Sequence, residues 1–551
     1  MKRKNIVFKA LTCGLASLAF TACTDTWETH YQPKPELNAS ETLWDLIQMD
    51  PELNQFEAFV KETGYDEVLK QNRFYTIWAP VDGSEFYTSH PLEGISDSML
   101  NVYKTEFVEN HIADYNHTAS GTLSKNKVKM LNGKYNTFEG SADNYTFKNT
   151  TVTTANIAAK NGLLHKVNTN AIFTPNIWEQ LAKEPSVALL NAFLKSYDEI
   201  TFDRNSSVEG PTIDGQVTYL DSVFEHTNEW FNRIGKMNRE DSSYIMFALT
   251  DKAWTEAYDN IKNYFVYDET VTERDSLQDL MTKDYMCARL GFSQTIQKDM
   301  NDSLISISSS NYGNNSLWYK KYVYKDEEYA HMLDQIVESK ELSNGVMHIV
   351  DNFIYKNFWH DTIRVQGESL YGAPEGVEPE EYETAIKGYG SISKDSVDKY
   401  YQISGGRIGI YEPEISNSNP KLTFTFKNVL SAKYRVKIVF VPKQFINWDD
   451  TLNIMPNKYN ATLTYRNEKG KKTTLKLGTN LVNNPYKVDT VTLVPDKSDN
   501  DIIEFPVNEL GIDATSVMTQ LKIEGKVGAR DKNYDRVLRV DQVFLEPVIE
   551  E

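Results

Sequence analysis

The chain is poor in cysteine, in histidine and in net positive charge, and each shortage removes a class of function. Three cysteines, Cys13, Cys23 and Cys287, are too few for a disulfide framework. The 9 histidines show no ligand spacing: His111, His117, His165, His331, His348 and His360 are scattered, and no His-Glu-x-x-His occurs. A Gly-x-Ser-x-Gly elbow, a phosphate loop and a Cys-x-x-Cys pair are also missing, and Gly388-Tyr389-Gly390 lacks the third glycine of a dinucleotide fingerprint. Asp496-Lys497-Ser498-Asp499-Asn500-Asp501 gathers oxygens without the glycine and distal glutamate of a calcium loop, so it reads as a solvated turn. No catalytic residue, cofactor or metal is therefore assigned. A formal charge of −20 repels nucleic acid and anionic membrane at long range, which disfavours a nucleic-acid partner. Beyond Phe20 no apolar run approaches the length of a membrane span.

What is present begins with a leader. Residues 1–22 have the layout of a secretory signal: basic Lys2-Arg3-Lys4, apolar Ile6 to Phe20, and the small Ala22 directly before Cys23. This arrangement resembles a bacterial lipoprotein cleavage site, with Phe20 a looser fit than the usual leucine; an uncleaved anchor helix is the alternative. The resemblance implies that Cys23 carries a lipid holding the protein at the outer membrane, and acidic Asp25 and Glu28 resemble a surface-export tag. Residues 23–36 then read as a tether. Loss of Lys2, Arg3, Lys4 and Lys9 with the leader moves the charge from −20 to −24. Cys287 is left as a lone thiol in the helical-looking Tyr285–Leu290, expected buried and inert.

A length of 551 residues predicts two to four domains. Residues 37–174 run helices first and strands later, the order of an α+β domain. Apolar residues from Thr42 to Tyr65 recur at helical spacing, with a break at Pro51 and Asp50 as the cap of the restarted helix. A buried strand, Phe74 to Trp78, is expected to stop at Ala79-Pro80 because proline cannot donate to a ladder. Later, Asn161-Gly162 reads as a tight turn into the apolar strand Leu163–Val167, which contains His165. Residues 184–357 repeat the pattern. Strand Tyr244–Leu249 has Ala248-Leu249 in place of Ala-Pro, and Asn344-Gly345-Val346-Met347-His348 follows. An insertion, Thr201–Asp221, rich in Gly, Ser and Asp, precedes a helical Phe224–Met237.

A strand ending in Ala79-Pro80 followed by Asn161-Gly162-x-x-His165 resembles the fasciclin domain family, and Asn344, Gly345 and His348 mark a second copy. The resemblance implies wedge-like β-sandwiches flanked by helices, a non-enzymatic adhesion role, and His111 as a third landmark. His111, His165 and His348 are each read as buried imidazoles satisfied by a backbone group.

Residues 362–551 open with a Gly-, Pro- and Glu-rich stretch, Gly367–Glu383, read as a linker or long loop. Strands follow, among them Leu422–Phe426 and Arg435–Phe440 with period-two alternation, which argues for an all-β sandwich. Its Tyr434–Pro442 and Val540–Leu545 strands resemble jelly-roll, galactose-binding-like modules. Flat aromatic faces with amides, carboxylates and guanidinium groups around them suit sugar rings. Tyr400, Tyr401, Arg407, Trp448, Asp449 and Tyr534 are the candidate ligand-binding residues, with Trp448 either exposed past Pro442 or capping the core. A fragment from about Thr362 is expected to fold alone. The expected function is a surface lipoprotein acting in adhesion or in capture of an extracellular glycan or protein ligand, accessory to an outer-membrane receptor–transporter. The competing readings are a glycan hydrolase with its carboxylates in the last domain, and a purely structural surface component.

Overall fold

The computed structural model describes residues 40–549 except 143, 214, 295–302, 306, 308–322, 326–332, 354–360, 371–381, 395–396, 447–452 and 513–516. Cys23, Trp448 and Asp449 lie outside the described residues. The chain forms two compact units: one runs to Asn176 and includes Glu199–Thr227, the other holds Ile177–Asp198 and Asn228 onward.

The first unit starts with helices α1 (Leu43–Met49), α2 (Asn54–Glu62) and α3 (Tyr65–Leu69). Thr42 and Asp45 close a capping box on α1, while α2 starts at Asn54 after Leu53. Asp50 is thus not the cap expected of it; its Oδ1 accepts the Glu52 amide at 3.0 Å in a turn. Seven strands form one path in the order β2-β1-β7-β6-β5-β4-β3. They are β1 (Tyr75–Pro80), β2 (Ile112–Asp114), β3 (Leu123–Lys129), β4 (Tyr135–Ser141), β5 (Asn144–Phe147), β6 (Thr150–Ala159) and β7 (Gly162–Val167). The parallel pair β1–β7 lies near the centre, in register Tyr75↔Gly162 to Pro80↔Val167.

Two expectations fail at β1. Phe74 is 42% exposed and precedes the strand, whereas Ala79 and Pro80 are inside it. The amides of Tyr75 and Val81 bond β7 and its flanks, so alternation turns the Pro80 nitrogen to the other side. There β2 reaches only as far as Ile77, and no donor is required.

The second unit repeats this centre. A four-stranded sheet runs β11-β10-β15-β14, from β10 (Tyr244–Leu249), β11 (Gly291–Ser293), β14 (Ile336–Leu342) and β15 (Gly345–Val350). The parallel pair β10–β15 has the register Tyr244↔Gly345 to Leu249↔Val350. Helices α4 (Ile177–Lys183), α5 (Ala188–Lys195), α6 (Asp251–Ile261) and α7 (Arg274–Cys287) accompany it, and β12 (Ser303–Ile305) pairs with β13 (Val323–Lys325). Cys287 is buried at the end of α7, where burial and then the Asp284 charge push its thiol well up. The Thr201–Asp221 insertion falls in the first unit. It belongs to a long hairpin, β8 (Asp198–Ile213) and β9 (Gln216–Asn228), which also takes up the start of the expected Phe224–Met237 helix; only Phe231–Ile234 is helical. Ile200-x-Phe202 and Val217-x-Tyr219 carry the strand period, and Gly215, at φ 79°, provides the left-handed residue between them.

The terminal region is a sandwich of two antiparallel sheets. One follows β18-β19-β28-β21-β25 with β16 on β28 and β26 on β21; the other follows β17-β20-β27-β22-β23 with β24 on β22. The strands are β16 (Ile363–Gln366), β17 (Tyr382–Glu383), β18 (Ala385–Ser391), β19 (Arg407–Pro413), β20 (Lys421–Thr425), β21 (Lys433–Phe440), β22 (Lys458–Arg466), β23 (Lys472–Lys476), β24 (Leu481–Val482), β25 (Asp489–Leu493), β26 (Ile502–Glu504), β27 (Gln520–Gly525) and β28 (Leu538–Pro547). Leu422, Phe424, Val436, Ile438, Leu463, Ile523 and Val543 alternate inward and fill the space between the sheets. Gly367 and Glu368 are part of the sandwich rather than a linker, since a Cβ on Gly367 would stand 1.9 Å from the Val540 carbonyl oxygen. The sandwich also shares its core with the preceding domain: Leu430 and Leu510 pack in one cluster with Phe265, Tyr267 and Tyr285.

Candidate functional site

The two Asn-Gly-x-x-His segments are built alike. Asn161 donates from Nδ2 to the carbonyls of Leu69 and Gln71, each at 2.7 Å, and accepts the Leu43 amide on Oδ1 at 2.8 Å. Asn344 donates to Met237 and Arg239 at 2.8 and 2.9 Å and accepts the Ile177 amide at 2.9 Å. Each buried amide thus joins the first helix, the segment before the central strand, and its own strand. The next residue must be glycine: a Cβ on Gly162 would lie 2.0 Å from the Tyr75 oxygen, and on Gly345 1.9 Å from that of Tyr244. The pair is therefore more than a turn.

The histidines differ. His165 is fully buried; its Nε2 donates to the His117 carbonyl at 3.0 Å and its Nδ1 accepts the Asn156 amide at 3.2 Å. Its ring stacks on Trp78, with centroids 5.4 Å apart. His111 uses the other tautomer, Nδ1 donating to Phe107 at 2.7 Å and Nε2 accepting the Ala171 amide at 2.8 Å. Burial pulls both down to about 4, so both are neutral crosslinks between backbone segments. His348 departs from the expectation: it is half-buried and bonds the Ser339 hydroxyl of β14 at 2.8 Å rather than a backbone group. In the first unit Phe138 and Phe147 join Trp78 in the cluster against which His165 packs, whereas His348 faces a Ser339 at a solvent-touched strand pair.

The sandwich gathers a second group. Tyr401 is 80% exposed and stands at 89° to Tyr400, with ring centroids 5.5 Å apart. Tyr400 lies over Gly406, where any Cβ would meet its ring at 2.2 Å, and Arg407 follows, exposed at the start of β19. Beneath this loop, Ser404 donates its amide to Asp541 Oδ1 at 2.9 Å and accepts Gln366 Nε2 on its hydroxyl at 2.8 Å. Burial, reinforced by the charge of Glu368, pushes Asp541 up to about 7; burial likewise raises Glu368, against the pull of Arg407. Gln366 Oε1 and Glu368 Oε2 are buried and bond no donor among the described residues. The result is a cluster of buried oxygen acceptors beneath two tyrosines and a guanidinium. Among the described residues, no group of three His, Cys, Asp or Glu has a metal-holding arrangement.

Tyr534 is half-buried, with the Lys458 ammonium 5.2 Å from its ring, and no described contact ties it to the Tyr400 group. Phe445 and Ile446 pack with Tyr400 on Ile392, Ile403 and Val441, so the segment just before Trp448 caps the sandwich end. Sequence reading missed Gln366, Glu368, Ser404 and Asp541. The Tyr400–Arg407 run is contiguous, but its acceptors come from β16, the turn after it and β28, more than a hundred residues apart, and no spacing could reveal them.

Comparison with known proteins places a Fasciclin domain at residues 51–172. No curated protein matches the chain. Among solved structures, the FAS1 domain pair of the insect cell adhesion molecule Fasciclin I shares 12% identity over 55% of this chain and 97% of its own, at a TM-score of 0.20. Carbohydrate-binding modules of the β-sandwich superfamily share 7% over 45% and 72%, at 0.14. An exo-β-1,3-galactanase from Phanerochaete chrysosporium shares 11% over 34% and 29%, at 0.16. Scores this low carry no argument about fold or function. Among the described residues, no helix is long and apolar enough to cross a membrane.

Proposed function

We propose that this is a lipid-anchored, non-enzymatic surface protein in which fasciclin domains hold a terminal sandwich that captures a glycan. The Fasciclin domain at residues 51–172 supports an adhesion-type surface role. The equal register of β1–β7 and β10–β15, and the matching bonds of Asn161 and Asn344, support a second, remodelled fasciclin copy. The observation that carries the glycan reading is the exposed Tyr401 beside Tyr400 and Arg407, over acceptors with unused oxygens. In this reading the sandwich is a jelly-roll, Cys23 bears the lipid at the outer membrane, and a receptor–transporter there receives the captured glycan.

Binding of the full chain to immobilised neutral and acidic polysaccharides tests it. Tyr401→Ala is expected to weaken capture about tenfold, the loss of about 1.4 kcal/mol of stacking; no binding to any of them by the native chain would overturn the reading. Cys23→Ala is expected to release the protein from the membrane fraction. A hydrolase is the second reading, favoured by the neighbouring Glu368 and Asp541 with raised proton affinity. Asp541 is 1% exposed and engaged by the Ser404 amide, which suits support better than attack. Reducing ends released from the same polysaccharides, and lost in Glu368→Gln, would establish the hydrolase instead.

A further inference from the structure

The contact between the second α/β domain and the sandwich holds three buried charged groups that neither the Asn-Gly segments nor the Tyr400 group uses. Arg466, at the end of β22, reaches out of the sandwich to Asp268, its Nε 2.5 Å from Oδ2, and its Nη2 donates to Thr270 Oγ1 at 2.8 Å. Both charged side chains are buried. Burial alone would raise the Asp268 carboxyl, yet Arg466 and Thr270 hold it below its usual value, so it stays charged. Around this pair the backbones interlock. Asn508 donates its amide and Nδ2 to the Val266 carbonyl at 2.8 and 3.1 Å, and Tyr267 donates to Leu510 at 2.9 Å. The Ser431 hydroxyl accepts the Val266 amide at 3.0 Å and donates to Asn263 at 2.7 Å, and the Glu269 amide meets Glu468 at 2.8 Å.

Glu509 sits between two of these contact residues, Asn508 and Leu510. It is buried, its Oε1 accepts the Thr519 hydroxyl at 2.7 Å, and its Oε2 bonds no donor among the described residues. Among the described residues, the charged and titratable groups facing it are Arg466 from β22, already held by Asp268, and Tyr434 from β21. Burial makes a carboxylate costly there, and the facing Arg466 is already paired with Asp268.

We propose that the joint between the second α/β domain and the sandwich is a proton-sensitive latch that tightens as the medium acidifies, with Glu509 as its titrating group. Burial pushes Glu509 up to about 7 from an ordinary 4.5. The docked form therefore holds one more proton than the opened form between those values, and docking weakens as pH rises through that window. Above it both forms are ionised and the dependence stops. Asp268, held low, titrates below the window and keeps the Arg466 pair intact across it.

The test is hydrogen exchange of the full chain at pH 5, 6, 7 and 8, corrected for intrinsic rates, reading the amides of Val266, Glu269 and Asn508. In the native protein, opening is expected to rise up to about tenfold per pH unit from 5 to 7 and to level off by 8. In Glu509→Gln the dependence is expected to vanish, with more protection than the native chain at pH 8. Equal pH dependence in both proteins, or weaker protection of the variant at every pH, would overturn the proposal. If the variant does not fold, carboxyl titration in the isotope-labelled native chain decides: a Glu509 midpoint near 7 supports the latch, and one near 4.5 contradicts it.

Discussion

The parallel pairs β1–β7 and β10–β15 place the same residue types at the same register, yet only one of them encloses its histidine. Tyr75 faces Gly162 and Trp78 faces His165; Tyr244 faces Gly345 and Phe247 faces His348. The asparagine makes three backbone bonds in both. The histidine makes two backbone bonds in the first and one hydroxyl bond in the second. The Asn-Gly pair is thus the part the architecture requires, because it satisfies donors and acceptors that any such crossing leaves unpaired. The histidine follows its surroundings.

The comparison breaks first at the glycines. Gly162→Ala and Gly345→Ala each drive a methyl group into a neighbouring carbonyl, and each is expected to cost more than about 4 kcal/mol by denaturant unfolding of the full chain. A small effect at either one would show that its strand pair can separate cheaply. Next come Asn161→Ala and Asn344→Ala, expected to cost about 3 kcal/mol each, since several buried backbone groups lose their partner together. Unequal losses would show that the two amides are not equivalent. His165→Ala is expected to cost about 1–3 kcal/mol and His348→Ala less than about 1 kcal/mol, the former stranding two buried backbone groups. Equal losses would remove the distinction drawn between them.

The two domains also differ in pH dependence. His111 and His165 have native values near 4 against about 6.5 in the unfolded chain. As pH falls below 6.5 the unfolded chain takes up protons that the folded domain refuses. Stability present above that value is therefore lost down to about 4, by up to about 1.4 kcal/mol per pH unit for each histidine. His348 is also lowered by burial, but its partial exposure makes the second domain's dependence shallower. Melting the full chain at pH 7, 6 and 5 follows both transitions.

Much of the first domain was legible because its signals are local. The helical spacing after Thr42, the apolar run of β7 and the Asn-Gly pair each declare themselves within a few residues. Pro80 misled because a proline reads as a stop unless the partner strand is known to end first. The Thr201–Asp221 insertion was given no strands because its Gly, Ser and Asp content masks the strand period that Ile200, Phe202, Val217 and Tyr219 keep. At the candidate site, Tyr400, Tyr401 and Arg407 were legible as neighbours in sequence. Gln366, Glu368 and Asp541 were not, because topology alone brings β16 beside β28. Likewise, nothing in the sequence pairs Arg466 with Asp268 across nearly two hundred residues.

In the proposed function the motif histidine supports the fold, while capture belongs to the Tyr400–Arg407 end of the sandwich. Polysaccharide capture and thermal melting of His165→Gln, measured together with Tyr401→Ala as the reference, test it most directly. His165→Gln is expected to lower the first-domain melting temperature with native capture, and Tyr401→Ala to keep native melting with weakened capture. Lost capture at unchanged melting in His165→Gln would contradict it and place the ligand on the fasciclin domain.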